Sequence, residues 1–182
     1  MTETALPGAG RWPNVPACYG WLSLDRRGRW RLQGEVVQHA GLRRFLDLYY
    51  SADSRGCWRV QNGPQQVFVS LAYTPWVLHF TGDGGLQTHT GQPAGPVQHV
   101  WLDEEGAVLL QTATGIGLLD DRDWPGFYAS CLNAAAQPAD EADWLAFMAG
   151  QAVALYWQTL PVGRLRQAEV AGRFAFVAEP QA

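Results

Sequence analysis

The chain has 182 residues, of which 47% are hydrophobic and 12% aromatic, with nine Trp, so it can bury the core of one compact domain or of two small ones sharing an interface. That excludes a disordered middle, and no apolar run reaches the ~20 residues that span a bilayer as a helix. Net charge is −4 but uneven: residues 1–60 hold nine Arg against five acids, and the remainder holds four Arg against twelve acids, with no Lys anywhere.

Residues 1–16 are rich in Gly and Pro and read as a flexible tail, without the basic start and apolar stretch of a secretory signal. Trp21 to Leu24, the turn Asp25-Arg26-Arg27-Gly28, and Arg29-Trp30-Arg31-Leu32 predict a β-hairpin over 20–32. Alternation along a strand puts Trp30 and Leu32 on one face and Arg29 and Arg31 on the other. Leu42, Phe45, Leu46 and Tyr49 fall at helical spacing and predict a helix from about His39 to Tyr50. Asp53-Ser54-Arg55-Gly56 turns the chain into a strand over 57–61, with Arg59 facing away from Trp58 and Val60. Asn62-Gly63 is a strong hairpin signal, and Gln65 to Leu71 forms the return. Tyr73-Thr74-Pro75 bends the chain before a strand over 76–80.

The Gly-rich segment 81–96, with Pro93 and Pro96, is the candidate boundary. Beyond it, 97–102 and 108–111 predict a hairpin about Asp103-Glu104-Glu105-Gly106, followed by a strand near 117–119. Pro125, behind Asp120, Asp121 and Asp123, opens a predicted helix over 123–135. A short helix over 139–150 and closing strands over 152–160 and 173–177 complete the reading.

The pattern Asp-x-x-Gly-x-Trp-Arg-aliphatic thus occurs in "DRRGRWRL" and "DSRGCWRV", and the Asp-x-x-Gly turn occurs a third time at Asp103. Leu24-Asp25-Gly28-Trp30, Gly34, Leu42-Phe45, Asp53-Gly56-Trp58 and Pro75-Trp76 together resemble an uncharacterised family of proteobacterial proteins, a domain of unknown function. The resemblance covers about residues 20–80, and the terminal "FAFVAEP" is similar to that family's end. It implies a fold of repeated αβ motifs and a part in signalling, and it supplies no catalytic residue. "QNGPQQ" departs from the pattern, which has a Thr-Pro start and an acidic residue there.

Searching for chemistry gives few candidates. Cys18, Cys57 and Cys131 are widely spaced and odd in number, without a CxxC, which fits reduced thiols in a cytoplasm. Cys57, between Arg55 and Arg59, is the thiol with a basic neighbourhood. His79, His89 and His99 bracket the Gly-rich segment and are the candidate zinc ligands, but no HxH or HExxH accompanies them, and surface hairpin histidines explain them as well. Asp120, Asp121 and Asp123 are read as a helix start rather than a cation site. There is no nucleophile elbow and no dinucleotide fingerprint.

The fold expected is α+β: two small antiparallel-sheet modules, 17–80 and 81–182, each packed with a helix and built from repeated hairpin–helix units. The expected function is a non-enzymatic cytoplasmic module with a regulatory role, binding a small anionic molecule or a protein through Arg29, Arg31, Arg59, Tyr73 and Trp76. The alternative is a small enzyme using His79, His89 and His99 or Cys57. No catalytic residue, metal or cofactor is assigned. Nucleic acid is disfavoured by the acidic whole, pI about 5.5. No membrane partner is expected, and a homodimer is.

Overall fold

The computed structural model describes residues 15–182, so most of the expected tail lies outside the described residues. Fourteen strands and four α-helices are arranged in two sheets. The first sheet holds β1 (Ala17–Leu24), β2 (Trp30–Leu32), β3 (Glu35–Val36), β4 (Tyr50–Ala52), β5 (Trp58–Asn62) and β6 (Gln65–Leu71), in the order β3-β2-β1-β6-β5-β4. Helix α1 (Ala40–Tyr49) joins its two halves. The second sheet holds β7 (Trp76–Phe80), β8 (Leu86–Thr88), β9 (Val97–Leu102), β10 (Val108–Thr112), β11 (Gly115–Leu119), β12 (Cys131–Asn133), β13 (Leu155–Trp157) and β14 (Leu160–Arg164). Their order is β12-β13-β14-β9-β10-β11-β7-β8. Helices α2 (Trp124–Ala129), α3 (Glu141–Met148) and α4 (Gln167–Arg173) follow β11, β12 and β14 in the chain.

The architecture is α+β and mostly strand, but the sheets are large, with six and eight strands, rather than small antiparallel modules. Each is also mixed. β1 pairs with β6 in parallel, and so do β11 with β7 and β14 with β9. Sequence alternation describes strands with one wet face, whereas strands at the middle of a mixed sheet are covered on both. Val67, Phe68 and Val69 on β6 are all buried, as are Val108, Leu109 and Leu110 on β10. Core residues of both sheets form one cluster. The chain passes between sheets at Ala72–Pro75, so Trp76–Phe80 lies in the second sheet, ahead of the Gly-rich segment. It then returns: Val177 bridges Cys57, and Leu71 donates its N–H to Ala178 at 2.8 Å.

Among the described residues the expected repeat of a hairpin–helix unit is not seen. What recurs is the turn. Asp25, Asp53 and Asp103 each accept two backbone N–H groups on Oδ1, from the residues two and four places on, at 2.8–3.0 Å. In each, the Gly N–H returns to the Asp carbonyl, and the Asp N–H donates to the carbonyl four residues on. This is an Asx-turn closing a hairpin with a left-handed Gly, φ +73°, +79° and +82°. Asn133–Gln137 forms the same loop without glycine, Ala136 taking φ +57°.

Two elements differ from the sequence expectation for physical reasons. The helix over 123–135 stops at Ala129, and Cys131–Asn133 becomes β12, because Asn133 starts that fourth turn and the strand pairs with β13. The segment expected to close with a strand over 173–177 forms α4 first, its Arg166–Glu169 capping pair starting the helix. Helix α1 is as expected: His39 Nδ1 caps Leu42 N–H at 3.2 Å, and Leu42 and Leu46 are buried. Among the described residues no helix is long and apolar enough to cross a membrane.

Candidate ligand-binding site

Trp30 and Trp58, the Trp residues of the two long repeats, converge. With Tyr50, Trp76 and His89 they make an aromatic box at the meeting of the two sheets. Tyr50 touches Trp30 and Trp58 with ring centroids 5.1 and 4.6 Å apart, and Trp76 lies 5.0 Å from Trp58. His89 contacts Trp30, Tyr50 and Trp76 at 5.4–5.6 Å. Its Nδ1 accepts the Val77 N–H at 3.3 Å, while Nε2 is sealed from solvent and has no hydrogen-bond partner. Burial first, and then the nearby His79, push its pKa down to about 3.

The turn at Asp25 sits outside this box, between two cavities. The larger, about 540 Å³, is lined by Arg29, Trp30, Gln38, Arg43, Arg44 and Asp47, among others. The smaller, about 380 Å³, is lined by Arg26, Arg27, Arg29 and Arg31 over an apolar floor that includes Leu118, Leu119 and Trp124. Arg29 belongs to both. Six Arg therefore border one region against three carboxylates, Asp25, Asp47 and Asp121.

Three of those guanidinia are committed. Arg29 Nε and Arg31 Nε both donate to Asp25 Oδ2, at 2.8 and 3.2 Å. Arg27 grips Asp121 with two parallel bonds, Nε to Oδ1 at 3.0 Å and Nη2 to Oδ2 at 2.8 Å, which ties the first sheet to the second. Burial works against ionisation of Asp25, but the Arg29 and Arg27 amides and the Arg29 and Arg31 guanidinia outweigh it and hold its pKa below the usual carboxylate range. The other three are not paired with carboxylates. Arg26 lies over the Tyr73 ring at 4.6 Å. Arg43 and Arg44, both exposed on α1, make no ion pair among the described residues.

Of the sequence candidates, Arg29 and Arg31 are thus brought together. Arg59 is not with them. β2 and β5 are separated by β1 and β6, so no stripe of the three forms. Arg59 Nη1 donates to Gln61, and its Nε is buried without a partner. Tyr73 and Trp76 are each only 7% exposed. The Tyr73 hydroxyl donates to Asp103 at 2.8 Å, and the Trp76 indole N–H donates to the Thr114 carbonyl at 3.1 Å. Trp76 still lines a groove of about 410 Å³ with Trp58, Phe174 and Phe176.

The candidates of the enzymatic alternative do not assemble. His79 Nδ1 lies 3.6 Å from Asp120 and 3.8 Å from Asp123, His89 is in the aromatic box, and His99 stacks on Trp101 three strands from β7. Among the described residues no group of His, Cys, Asp and Glu is arranged to hold a metal ion. Cys57 is buried, and Arg55 is bonded to Asp53. Cys131 is buried too, which pushes its thiol pKa up to about 12.

Sequence reasoning missed Arg43, Arg44 and Asp47. A sequence shows them only as the polar positions between the apolar ones of α1, and it takes the fold to set them with Trp30 and Val36 around one cavity.

Comparison with known proteins gives a family and two solved structures with partial similarity. A DUF1285 family protein from Silicibacter pomeroyi DSS-3 has a similar crystal structure, with 16% identity and a TM-score of 0.48 over 72% of this chain and 79% of that one. A DUF1285 family protein from Shewanella baltica OS155 is similar at 15% identity and a TM-score of 0.44, over 59% of this chain and 89% of that one. No curated protein matches. The DUF2944 family model, described as "Protein of unknown function (DUF2946)", matches residues 1–181.

Proposed function

The chain belongs to this DUF2944 family, and from that premise we propose that it is a binding module whose arginine-bordered face takes an anionic ligand. One observation carries the reading. Within a chain of net charge −4, six Arg border two cavities that share Arg29, and Arg26, Arg43 and Arg44 form no ion pair among the described residues. Guanidinium is the side chain best suited to planar, paired contacts with carboxylate or phosphate. The other supporting fact is that His79, His89 and His99 do not form one group: His89 is walled into the aromatic box, and His99 stacks on Trp101 three strands from β7. A regulatory role suits a protein that binds without reacting, and an acidic partner protein would meet the same face.

Thermal shift and titration calorimetry with acetate, succinate, citrate and inorganic phosphate test this, against sodium chloride at matched ionic strength. At least one anion raises the melting temperature beyond the chloride control, and the double variant Arg43→Ala, Arg44→Ala loses most of that rise. Equal responses to all salts, or an unchanged response in the double variant, would overturn the proposal.

A further inference from the structure

The larger cavity holds charges of both signs that form no ion pair with one another. Arg43 and Asp47 stand at i and i+4 on α1, and Arg44 and Asp47 at i and i+3, spacings at which opposite charges on a helix ordinarily meet. Neither pair forms. The carboxylate instead turns to the scaffold: the Trp30 indole N–H donates to Asp47 Oδ1 at 2.7 Å. Oδ2 is left with no hydrogen bond, and it is not sealed from solvent. Asp47 is half-buried, and that burial, only partly offset by Trp30 and Arg43, raises its pKa. An unpaired carboxylate and unpaired guanidinia therefore line one cavity of about 540 Å³, alongside Val36, Val37 and Ala40.

We propose that this cavity is a site for a small zwitterion of the amino-acid class. Its acid group is held by Arg43 and Arg44 with Arg29, and its ammonium by Asp47 Oδ2. The inference rests on the anion-binding reading above and adds the cationic half of the ligand. A ligand that carries both charges completes two charge-assisted contacts at once, which neither a plain acid nor a plain amine does. Trp30 is the positioning residue: its N–H fixes the carboxylate away from the neighbouring arginines. The apolar wall accommodates an aliphatic or aromatic side chain.

The test is calorimetric titration of the full chain with each of the twenty amino acids. The best binder is then compared with its N-acetyl derivative and its decarboxylated amine. The free amino acid is expected to bind at least tenfold tighter than either. Asp47→Asn, which keeps an acceptor for Trp30, should weaken the amino acid at least tenfold and leave the N-acetyl acid bound as tightly or more tightly. Arg43→Ala with Arg44→Ala should weaken both. If the N-acetyl acid binds as tightly as its parent, or Asp47→Asn binds the amino acid normally, the zwitterion proposal is overturned while the arginine site stands. If no amino acid binds but succinate or phosphate does, the same holds. If no anion of any kind binds, both readings fall.

Discussion

The turns at Asp25 and Asp53 are alike in sequence and in hydrogen bonding, yet they serve different ends. Both close a hairpin with the same Asx bonds and a left-handed Gly, and both send the following Trp into one aromatic box. Around the first, arginines border two open cavities. The second is crossed by the C-terminal segment, with Val177 N–H donating to the Gly56 carbonyl at 2.9 Å, and no arginine lines the groove beside Asp53, Ser54 and Gly56. The local motif is therefore scaffold. What makes one copy a candidate site is the set of arginines that borders its cavities, with α1 supplying Arg43 and Arg44.

Glycine substitution breaks this comparison most sharply. A Cβ on Gly56 would lie 2.3 Å from the Ala175 carbonyl oxygen, at φ +79°. A Cβ on Gly28 would lie 2.5 Å from His89 Cβ, at φ +73°. Left-handed backbone costs roughly 1–2 kcal/mol for an L-residue, and overpacking adds about 1–3 kcal/mol. Gly56→Ala is thus expected to lose about 2–5 kcal/mol in denaturant titration. Gly28→Ala is expected to lose a comparable amount, because His89 Cβ is the root of a buried side chain and moves only with its backbone. Equal and small losses would show that the C-terminal segment does not cover the second turn.

Local chemistry was legible in the sequence, and long-range placement was not. Asp25, Asp53 and Asp103 declare their turns, because side-chain oxygen and glycine three residues apart determine the loop by themselves. Gln65–Leu71 and Trp76–Phe80 were readable to the residue, bounded by Asn62-Gly63 and Pro75. The parallel pairing of β1 with β6 was not readable, since no residue in either strand encodes its partner. The same holds at the site. Alternation placed Arg29 and Arg31 together and away from Trp30, but joining Arg59 to them needed β2 beside β5. Ala136 hid the fourth turn, because alanine carries no signal for φ +57°.

Acidity probes the aromatic box that the two turns share. An imidazole with a folded pKa of about 3, against 6.5 when free, stays neutral in the folded chain while the unfolded chain takes up a proton. The unfolded state therefore gains as pH falls, so stability is full above about pH 6.5 and drains away toward pH 3, by at most about 1.4 kcal/mol per pH unit for one proton. Asp25, Asp53 and Asp120, whose pKa values are all lowered, add their own loss only below the usual carboxylate range. Between pH 6 and pH 4.5 the slope is expected to belong largely to His89. Urea midpoints across that window should fall for the natural chain and flatten in His89→Gln. An identical slope in the variant would place the titrating group elsewhere.

The smallest effect is expected at the tie that crosses from the open turn to the second sheet. Arg27 and Asp121 have good two-bond geometry, but their side chains are 49% and 42% exposed. Water competes for both charges, and holding a long side chain in one place costs entropy, so pairs of this kind contribute about 0–1 kcal/mol. Arg27→Ala is expected to shift stability by no more than that, and by less at high salt, where screening has already weakened the natural pair. The same variant separates the two cavities in ligand titrations, because Arg27 borders the smaller while Arg43 and Arg44 border the larger. Anion binding that survives Arg27→Ala and is lost in Arg43→Ala, Arg44→Ala places the ligand in the larger cavity. The reverse result would move the site to the apolar-floored cavity over Leu118 and Trp124.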